Sequence, residues 1–446
     1  MRLVGQLELP LYGSKAQSAP GSSYRQTLEH LLSGDLDFHG QPSSYSSHNL
    51  HAFPAKFPPQ LPRAFIEGLT TPGDVVLDPM AGSGTTVVEA FLTGRRGIGL
   101  DIDPLALLLC QVKTTSMDVF RLRQICFGVL REAESAVRRR GPALAAEFVG
   151  RLDARTAEFL NYWFLPETQA ELAALVGGAQ RVQDRAVRAF LQLAISAVII
   201  TKSGGVSLAR DLAHTRPHRV PDKTPRSALA EFEKRLRKNL QSLRDLEGGT
   251  GQVVAIHGNA QSLPLATCSV DLIVTSPPYA SNAIDYMRAH KFSLVWLGYP
   301  LSALARTRNR YMGGEATDHF AFEPLPGEAA NMVSLVSERD SSKARVLQRY
   351  YSEMSRSLRE MFRVLKPRRA AIVVVGTSVM RGLDTRTHEC LSDIGQSIGF
   401  DVVGVSARRL DRDRRMMPAR PGPVRQSQIE HRMHEEYVIG FCKPEP

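Results

Sequence analysis

The sequence VVLDPMAGSGTTVVEAFLTG (75–94), followed by RRGIGLDIDP (95–104), has the pattern of a strand, a glycine turn, a helix and a second strand. Val75–Leu77 and Gly97–Leu100 are short apolar runs typical of buried parallel strands, and Thr85–Thr93 is helical in character. Small residues between a strand and a helix let a ligand approach the backbone, where helix N-terminal amides face it. The stretch therefore predicts an α/β domain with a ligand site at this turn.

Two features of this stretch narrow the choice of ligand. No Lys follows the second glycine, and the loop lacks the full GxGxxG pattern, so it is neither a P-loop nor a complete dinucleotide fingerprint. Asp101 ends the second strand about 20 residues after the turn begins, where nucleotide-binding α/β folds place an acid against ribose hydroxyls. An exposed carboxylate is the alternative for Asp101 alone. The nearby glycine loop favours the ribose contact.

A second unusual stretch is TSPPY (275–279), which follows the apolar run DLIV. Each proline fixes its own φ and restrains the residue before it, so Ser276 and Pro277 are held extended. A rigid tip with a hydroxyl and the ring of Tyr279 suits a planar ligand. From this stretch alone, a strand that simply stops at Pro-Pro, with Tyr279 packed, is the alternative.

The order of patterns along the chain predicts one α/β domain split by an insertion. Strand-like runs return in VVAIHGNA, VDLIVTSPPY, AAIVVVGTS and EYVIGFCK, whereas the stretch before them has helical periodicity. We therefore expect a doubly wound, Rossmann-like sheet with a mostly helical insertion domain. The predicted parts are an N-terminal arm at 1–44 with one short helix near Tyr24–Leu32, a first catalytic-domain part at 45–110, the insertion at 111–251, and a second part at 252–446.

Composition excludes several classes of protein. The 446 residues are 43% hydrophobic and 23% charged, which is typical of a globular protein with a substantial core. The five cysteines form no CxxC pair, which argues against a disulfide framework or a zinc site and predicts a reducing, cytoplasmic environment without a bound metal. The apolar run Ala189–Ile200 is too short to span a bilayer, so we expect a buried helix and no membrane association.

The charge distribution points to a polyanionic partner. The chain carries a formal net charge of +11, and its basic excess is concentrated at 202–244 and 408–432. The loop at 202–227 resembles a phosphate-contacting surface, although a solvated basic loop is the alternative. The loop at 302–340 is a second candidate for nucleic-acid recognition. The candidate DNA-binding residues are Arg210, Arg216, Arg219, Lys223 and Arg226.

Taken together, LDPMAGSGTT, GIGLDIDP, GNAQSLP, TSPPY and VLKP resemble the motifs of bacterial amino-methylating DNA methyltransferases, the N4-cytosine and N6-adenine family. The resemblance covers 45–110 and 252–446, and it implies S-adenosylmethionine as cofactor. In this family the glycine loop surrounds the methionine moiety, and the segment at 51–59 closes over it. The implied cofactor-binding residues are Lys56, Phe57, Pro58, Asp78, Met80, Ala81, Gly82, Ser83, Gly84, Thr85, Asp101, Ile102, Asn259 and Ala260.

Two positions depart from the family pattern. Asn259 stands where the family usually has an Asp near the adenine amino group, although an amide can also accept a hydrogen bond. Arg368 and Arg369 stand where glycines usually follow Lys-Pro, which predicts an exposed turn that faces DNA.

The resemblance also assigns catalytic roles to Ser276, Pro277, Pro278 and Tyr279. The Ser276 hydroxyl and the Pro277 carbonyl would accept hydrogen bonds from an exocyclic amine, and Tyr279 would stack on a flipped-out base. Ser at the first position is typical of N4-cytosine enzymes, whereas Asp or Asn there is typical of N6-adenine enzymes.

The predicted function is therefore site-specific methylation of cytosine N4 in double-stranded DNA, with the protein cytoplasmic and associated with the nucleoid. N6-adenine methylation, RNA-base or protein methylation, and a DNA-binding protein without catalysis are the alternatives. A homodimer, which a palindromic target would favour, and a cognate restriction endonuclease are candidate partners.

Overall fold

A seven-stranded sheet in the order β3-β2-β1-β4-β5-β9-β8 forms the centre of the molecule. The structure is a computed structural model that describes residues 23–53, 56–201, 204–210, 212, 217–243, 249–280, 285–376, 378–410 and 435–445. The strands, including a separate β6-β7 hairpin, are β1 (Val75–Asp78), β2 (Arg96–Asp101), β3 (Gln252–His257), β4 (Val270–Thr275), β5 (Leu365–Gly376), β6 (Val379–Met380), β7 (Leu383–Asp384), β8 (Asp401–Arg409) and β9 (Glu435–Cys442).

Helices connect and cover these strands. The first five strands in the order of the sheet, β3 to β5, are parallel to one another. The next strand, β9, runs antiparallel to both β5 and β8. The helices are α1 (Tyr24–Ser33), α2 (Gln60–Leu69), α3 (Thr85–Leu92), α4 (Pro104–Lys113), α5 (Val119–Val149), α6 (Ala154–Trp163), α7 (Pro166–Arg181), α8 (Arg185–Ile199), α9 (Ala228–Leu243), α10 (Met287–Leu294), α11 (Leu301–Asn309), α12 (Gly327–Ser337), α13 (Ser341–Val364) and α14 (Thr387–Ile398).

Alternate residues of the central strands pack on opposite faces of the sheet, because side chains along a strand alternate in direction. Leu272 joins a cluster with α1 and α2, whereas its neighbour Ile273 joins a cluster with α13. Both residues are fully buried, which explains why these strands read as continuous apolar runs. The prediction of a doubly wound, Rossmann-like sheet is confirmed.

Helix α1 packs on this sheet and is not a free arm. Leu28 and Leu32 are buried in the same cluster as Phe65 of α2. Ser23 begins the helix with a reciprocal capping box, in which its hydroxyl accepts from the amide of Gln26. Part of the stretch assigned to an N-terminal arm from its composition therefore belongs to the α/β core.

The insertion is built from helices, and its core continues into the α/β domain. Helices α5–α9 share one buried cluster with α4 and α10, in which Phe164 contacts both Phe292 and Trp296. The apolar run predicted as a buried helix lies within α8, where Leu193 and Ile195 are buried. Among the described residues, no helix combines the length and apolar character needed to cross a membrane.

Two predicted loops differ from expectation. Arg368 adopts a left-handed φ of +59° near the amino end of β5, and its neighbour Arg369 lies 3.7 Å from Asp271. The opposite, carboxyl end of the parallel strands is where ligands bind in such sheets. Arg368 is exposed, as predicted, but it lies within β5 rather than in a turn, and contact with DNA at this end of the sheet stays a prediction. The segment at 302–340 is not a simple loop, since it contains α12 and most of α11.

Candidate functional site

The glycine loop and TSPPY lie side by side at the point where the strand order reverses. Strands β1 and β4 are parallel neighbours, with Leu77 opposite Ile273. Strands β2 and β3 lie to one side of this pair, and the remaining strands lie to the other. Ligands of doubly wound sheets bind in the crevice outside the carboxyl ends of such a pair. The topology thus brings two motifs that are far apart in sequence to one crevice.

The glycine loop has a backbone that glycine alone adopts readily. Gly82 and Gly84 have φ values of +47° and +77°, and Gly84 caps α3. A Cβ at Gly84 would lie 3.1 Å from the Cys110 sulfur. The loop is held by the amide of Ala81, which donates to the Leu100 carbonyl at 3.0 Å. Gly84 thus packs closely on α4, whereas Gly82 remains partly exposed.

Asp101 holds this loop from the end of β2. Its carboxylate accepts from the Gly82 amide at 2.8 Å and from the Asp103 amide at 2.9 Å. Burial, together with the charge of Asp103, raises the pKa of Asp101 to about 7. The predicted ribose-binding acid is therefore at the crevice, and its ionisation is sensitive to what binds there.

Asp78 connects the two motifs directly. Its buried carboxylate accepts from the Thr275 hydroxyl at 2.7 Å and from the Met80 amide at 3.2 Å. Burial raises the pKa of Asp78 to about 6. Thr86 adds a second link by donating to the Val274 carbonyl at 3.1 Å. These bonds fix the first residue of TSPPY relative to the glycine loop, a role for Thr275 that sequence reasoning missed.

Two aromatic rings next to the glycine loop were also missed. Phe53 stacks on Tyr286 with ring centres 4.9 Å apart, and a Cβ at Gly82 would lie 3.5 Å from the Phe53 ring. Burial raises the pKa of Tyr286, and the charges of Asp101 and Asp103 add to the rise. Phe53 precedes the insertion and Tyr286 follows it. The only sequence signal for this pair was therefore that an aromatic residue, Phe53, lies within the segment at 51–59.

Asp103 holds the segment that follows the catalytic strand. It accepts from the Tyr311 hydroxyl at 2.6 Å, and His290 Nδ1 lies 2.6 Å from the same carboxylate oxygen. Burial acts to raise the pKa of Asp103, but the charge of His290 and these hydrogen bonds outweigh burial and hold the pKa below its usual range. This network fastens residues 290–311 beside the predicted ribose-binding acid.

The segment at 51–59 divides between the site and the core. Lys56 donates to the His48 carbonyl at 2.9 Å, and its charge acts on the buried Lys113. Lys113 in turn donates to the Ser83 carbonyl at 2.6 Å, and burial lowers its pKa to about 7. Lys56 is thus near the glycine loop. Phe57 instead packs with the hydrophobic cluster of α2.

The end of β3 approaches the same crevice. The Gly258 amide donates to the Asp101 carbonyl at 3.0 Å, which places the predicted adenine contacts Asn259 and Ala260 beside that strand end. The Asn259 side-chain oxygen accepts from the Gln261 amide at 3.0 Å and so closes its own turn. Ala260 is buried, whereas the side chain of Ile102 is partly exposed.

The SPPY tip, whose catalytic role is predicted, follows β4 and is partly exposed. Ser276, Pro278 and Tyr279 are partly exposed, while Pro277 is buried. The Tyr279 hydroxyl donates to Glu436 at 2.9 Å. Burial and the charge of Glu436 raise the pKa of Tyr279. Tyr279 therefore remains a neutral phenol at physiological pH.

Two of the predicted DNA-binding arginines have internal partners. Arg219 donates to the Tyr162 carbonyl at 3.0 Å and lies over the Tyr162 ring at 4.7 Å. Arg226 is 3.6 Å from Glu231. Both side chains belong to the insertion, and Arg210 beside them is exposed.

Lys223 has a structural role that its charge did not reveal. Its ammonium donates to the carbonyls of Ser207 and Ala209 at 2.7 and 2.6 Å. These bonds hold two segments of the loop together. The same two segments form an isolated β-bridge between Ala209 and Arg219. Arg216, the remaining candidate, lies outside the described residues.

Comparison with known proteins agrees with this geometry. A family model described as DNA methylase, of the N6 and N4 type, matches residues 24–110. Type II methyltransferase M.MvaI of Kocuria varians is 23% identical over 400 residues, which cover 85% of this chain and 87% of that protein. Type II methyltransferase M.MjaII of Methanocaldococcus jannaschii is 31% identical over 126 residues, 28% of this chain and 23% of that protein.

Among solved structures, a DNA modification methylase of Thermus thermophilus, complexed with S-adenosylmethionine, matches 42% of this chain and 54% of its own length. Its sequence identity is 20% and its TM-score is 0.22. That superposition is too loose to carry a conclusion. The matching family model, the curated relatives and the motifs at the crevice agree: over the residues that they match, the chain is similar to S-adenosylmethionine-dependent amino-methylating DNA methyltransferases.

Proposed function

We propose that the protein methylates the exocyclic N4 of cytosine in a base flipped out of double-stranded DNA. The observation that carries the proposal is the position of Ser276, at the first place of SPPY and beside the glycine loop. The hydrogen bond from Thr275 to Asp78 sets the distance between the two motifs. A serine at this place supplies a hydroxyl acceptor and no additional charge, which suits the amino group of cytosine.

The cofactor site fits the residues around the glycine loop. The partly exposed backbone at Gly82 can contact a ligand, and the Asp101 carboxylate suits ribose hydroxyls. The faces of Phe53 and Tyr286 suit a positively charged sulfonium, because aromatic faces attract cations. S-adenosylmethionine bound there supplies a methyl group that is already activated for transfer.

The remaining chemistry is to expose the lone pair of a weak nucleophile. The nitrogen lone pair of an exocyclic amine is delocalised into the base ring. The Ser276 oxygen and the Pro277 carbonyl accept hydrogen bonds from the two N–H groups of the amine and draw the nitrogen towards tetrahedral geometry. Tyr279 stacks on the extruded base. No strong base is required, because the methylated ammonium product is itself a strong acid.

N6-adenine methylation is the second candidate, since the same acceptors serve an adenine amino group. RNA-base methylation and DNA binding without catalysis are further alternatives. Ser276 and the basic insertion favour DNA cytosine over an RNA base, and the left-handed glycines of the cofactor loop favour an active enzyme.

The insertion is the proposed reader of the DNA sequence. Arg210 and Arg219 lie together on its exposed surface, and Arg can hold phosphates or read guanine in the major groove. A homodimer would match a palindromic target, and a cognate restriction endonuclease would cut the unmethylated form of that target.

Mass spectrometry of nucleosides tests the proposal. Unmethylated plasmid DNA is incubated with the protein and S-adenosylmethionine, digested and compared with an RNA sample treated in the same way. We expect N4-methylcytosine from DNA alone. N6-methyladenine would reassign the target base, a modified RNA would reassign the substrate, and no modification with intact cofactor binding would indicate a non-catalytic protein.

A further inference from the structure

Tyr279 is the first member of a chain of side chains that runs into the sheet. Its hydroxyl donates to one carboxylate oxygen of Glu436 at 2.9 Å. The other oxygen of Glu436 is 2.5 Å from the guanidinium of Arg408. Arg408 also donates through Nε to the Leu36 carbonyl at 3.0 Å, which anchors the chain to the segment after α1.

The position of this ion pair is built into the strand register. Arg408 and Glu436 are directly opposite each other in the antiparallel pair β8-β9, and Glu436 also pairs with Gly376 at the carboxyl end of β5. The carboxylate therefore stands on the same edge of the sheet as the end of β4. Only 2% of the Arg408 side chain and 11% of the Glu436 side chain are exposed.

A buried ion pair is weak evidence for stability, because the cost of desolvating both charges offsets their attraction. Such a pair is better explained by the orientation that it imposes on a neighbour. Here the neighbour is Tyr279, the aromatic residue of the catalytic tip.

We propose that Glu436, anchored by Arg408, is a positioning residue that fixes the Tyr279 ring in the orientation needed to stack on the extruded base. This inference rests on the proposed function, because it concerns the same catalytic tip.

The direction of each hydrogen bond follows from the donor inventory. An ionised carboxylate only accepts and a guanidinium only donates, so the Tyr279 hydroxyl must be the donor to Glu436. This bond ties the ring of Tyr279 to the edge of the sheet through Glu436 and Arg408.

The test compares Glu436→Gln with Tyr279→Phe and the double variant. Glutamine keeps the size of the side chain but removes the charge and introduces an N–H donor. We expect kcat for labelled methyl transfer to unmethylated plasmid DNA to fall about tenfold in each single variant, with unchanged calorimetric affinity for S-adenosylmethionine. If Glu436 acts through the Tyr279 hydroxyl, the double variant is no slower than Tyr279→Phe alone.

A matched control comes from the other end of the same catalytic strand. Asp271 is a buried carboxylate near the start of β4, paired with Lys366 at 2.8 Å. Asp271→Asn should lower the thermal midpoint without changing kcat. If Glu436→Gln behaves like this control, or if its effect adds fully to that of Tyr279→Phe, the positioning role is wrong.

A spectroscopic readout separates this inference from the proposed function. The ring carbon that bears the hydroxyl is labelled with ¹³C in tyrosine, and the Tyr279 signal is assigned by its loss in Tyr279→Phe. Glu436→Gln should shift that signal, whereas Asp271→Asn should not. An unmoved Tyr279 signal would overturn the inference even in an active enzyme. If the wild-type protein methylates no DNA but Glu436→Gln still shifts the Tyr279 signal, only the proposed function is contradicted.

Discussion

The crevice at the glycine loop and the basic loop of the insertion use charged side chains in opposite ways. In the crevice, the carboxylates of Asp78 and Asp101 accept hydrogen bonds from the backbone amides of Met80 and Gly82 and so hold the glycine loop. In the basic loop, Lys223 and Arg219 donate to backbone carbonyls while Arg210 is exposed beside them. A charge in the sequence therefore does not by itself show whether a side chain binds a ligand or holds the chain.

The two regions also differ in how closely their parts depend on each other. The two motifs of the crevice are joined by a hydrogen bond, since Thr275 of TSPPY donates to Asp78 of the glycine-loop motif. A change in either motif should thus affect one measurable step sharply. The basic loop distributes its charge over several side chains, so a single change there should have a graded effect.

Ser276→Ala should produce the largest effect in the crevice. It removes one of two acceptors for the target amine, so we expect kcat to fall about 100-fold, the loss typical of one preorganised hydrogen-bonding group. Affinity for S-adenosylmethionine, measured by calorimetry, should be unchanged because Asp101 and the glycine loop remain. A parallel loss of cofactor affinity would place Ser276 in the cofactor site instead.

Asp101→Ala tests the cofactor half of the crevice. We expect binding of S-adenosylmethionine to weaken by about 1–3 kcal/mol, because ribose hydroxyls would lose their acceptor. Glu67→Ala, which changes an exposed acid on α2, is the control and should bind normally. Unchanged calorimetric affinity in Asp101→Ala would remove this residue from the site.

The same acid should make cofactor affinity depend on pH. Its pKa is raised to about 7 in the unbound protein, and hydroxyl donors would favour the carboxylate and lower that pKa on binding. Binding then releases a proton below about pH 7, so affinity should rise from about pH 5.5 to about 7 and level off above it. Asp101→Asn should abolish the slope.

Tyr279→Ala should weaken the hold on the flipped base by about 1–3 kcal/mol, the usual contribution of one stacked ring. Tyr279→Phe should be milder because the ring face remains and only the hydrogen bond to Glu436 is lost. The measurement is the KM for plasmid DNA together with kcat. Equal inactivation by both changes would show that the hydroxyl, and not stacking, is the essential feature.

Replacing Arg216 and Arg219 with Ala should give the smallest and most graded effect. We expect weaker DNA binding, with the slope of log affinity against log salt reduced by up to about two. Cofactor affinity should not change. Arg181→Ala removes an exposed charge elsewhere on the insertion and serves as the control. A normal salt titration in the double variant would move DNA recognition to the segment at 302–340.

The crevice could be predicted because its requirements are local. Gly82 and Gly84 need left-handed backbone within one short turn, and Pro277 and Pro278 restrict the chain around themselves. The basic loop could be predicted only as a region. Its residue types are the same whether an ammonium binds phosphate or, as for Lys223, two carbonyls of its own loop.

Local pattern was thus sufficient to predict the sheet and the glycine turn, because buried strands and tight turns constrain residues next to each other in the chain, whereas the roles of Asp101 and TSPPY stay predictions. The hydrogen-bond partners of those residues became known only from the tertiary structure. Glu436 is 157 positions from Tyr279, and Thr275 is 197 positions from Asp78. Such pairs meet only when the parallel strands β1 and β4 and the antiparallel β9 align their ends. A short stretch of sequence does not specify that register, because the register depends on the packing of the whole sheet.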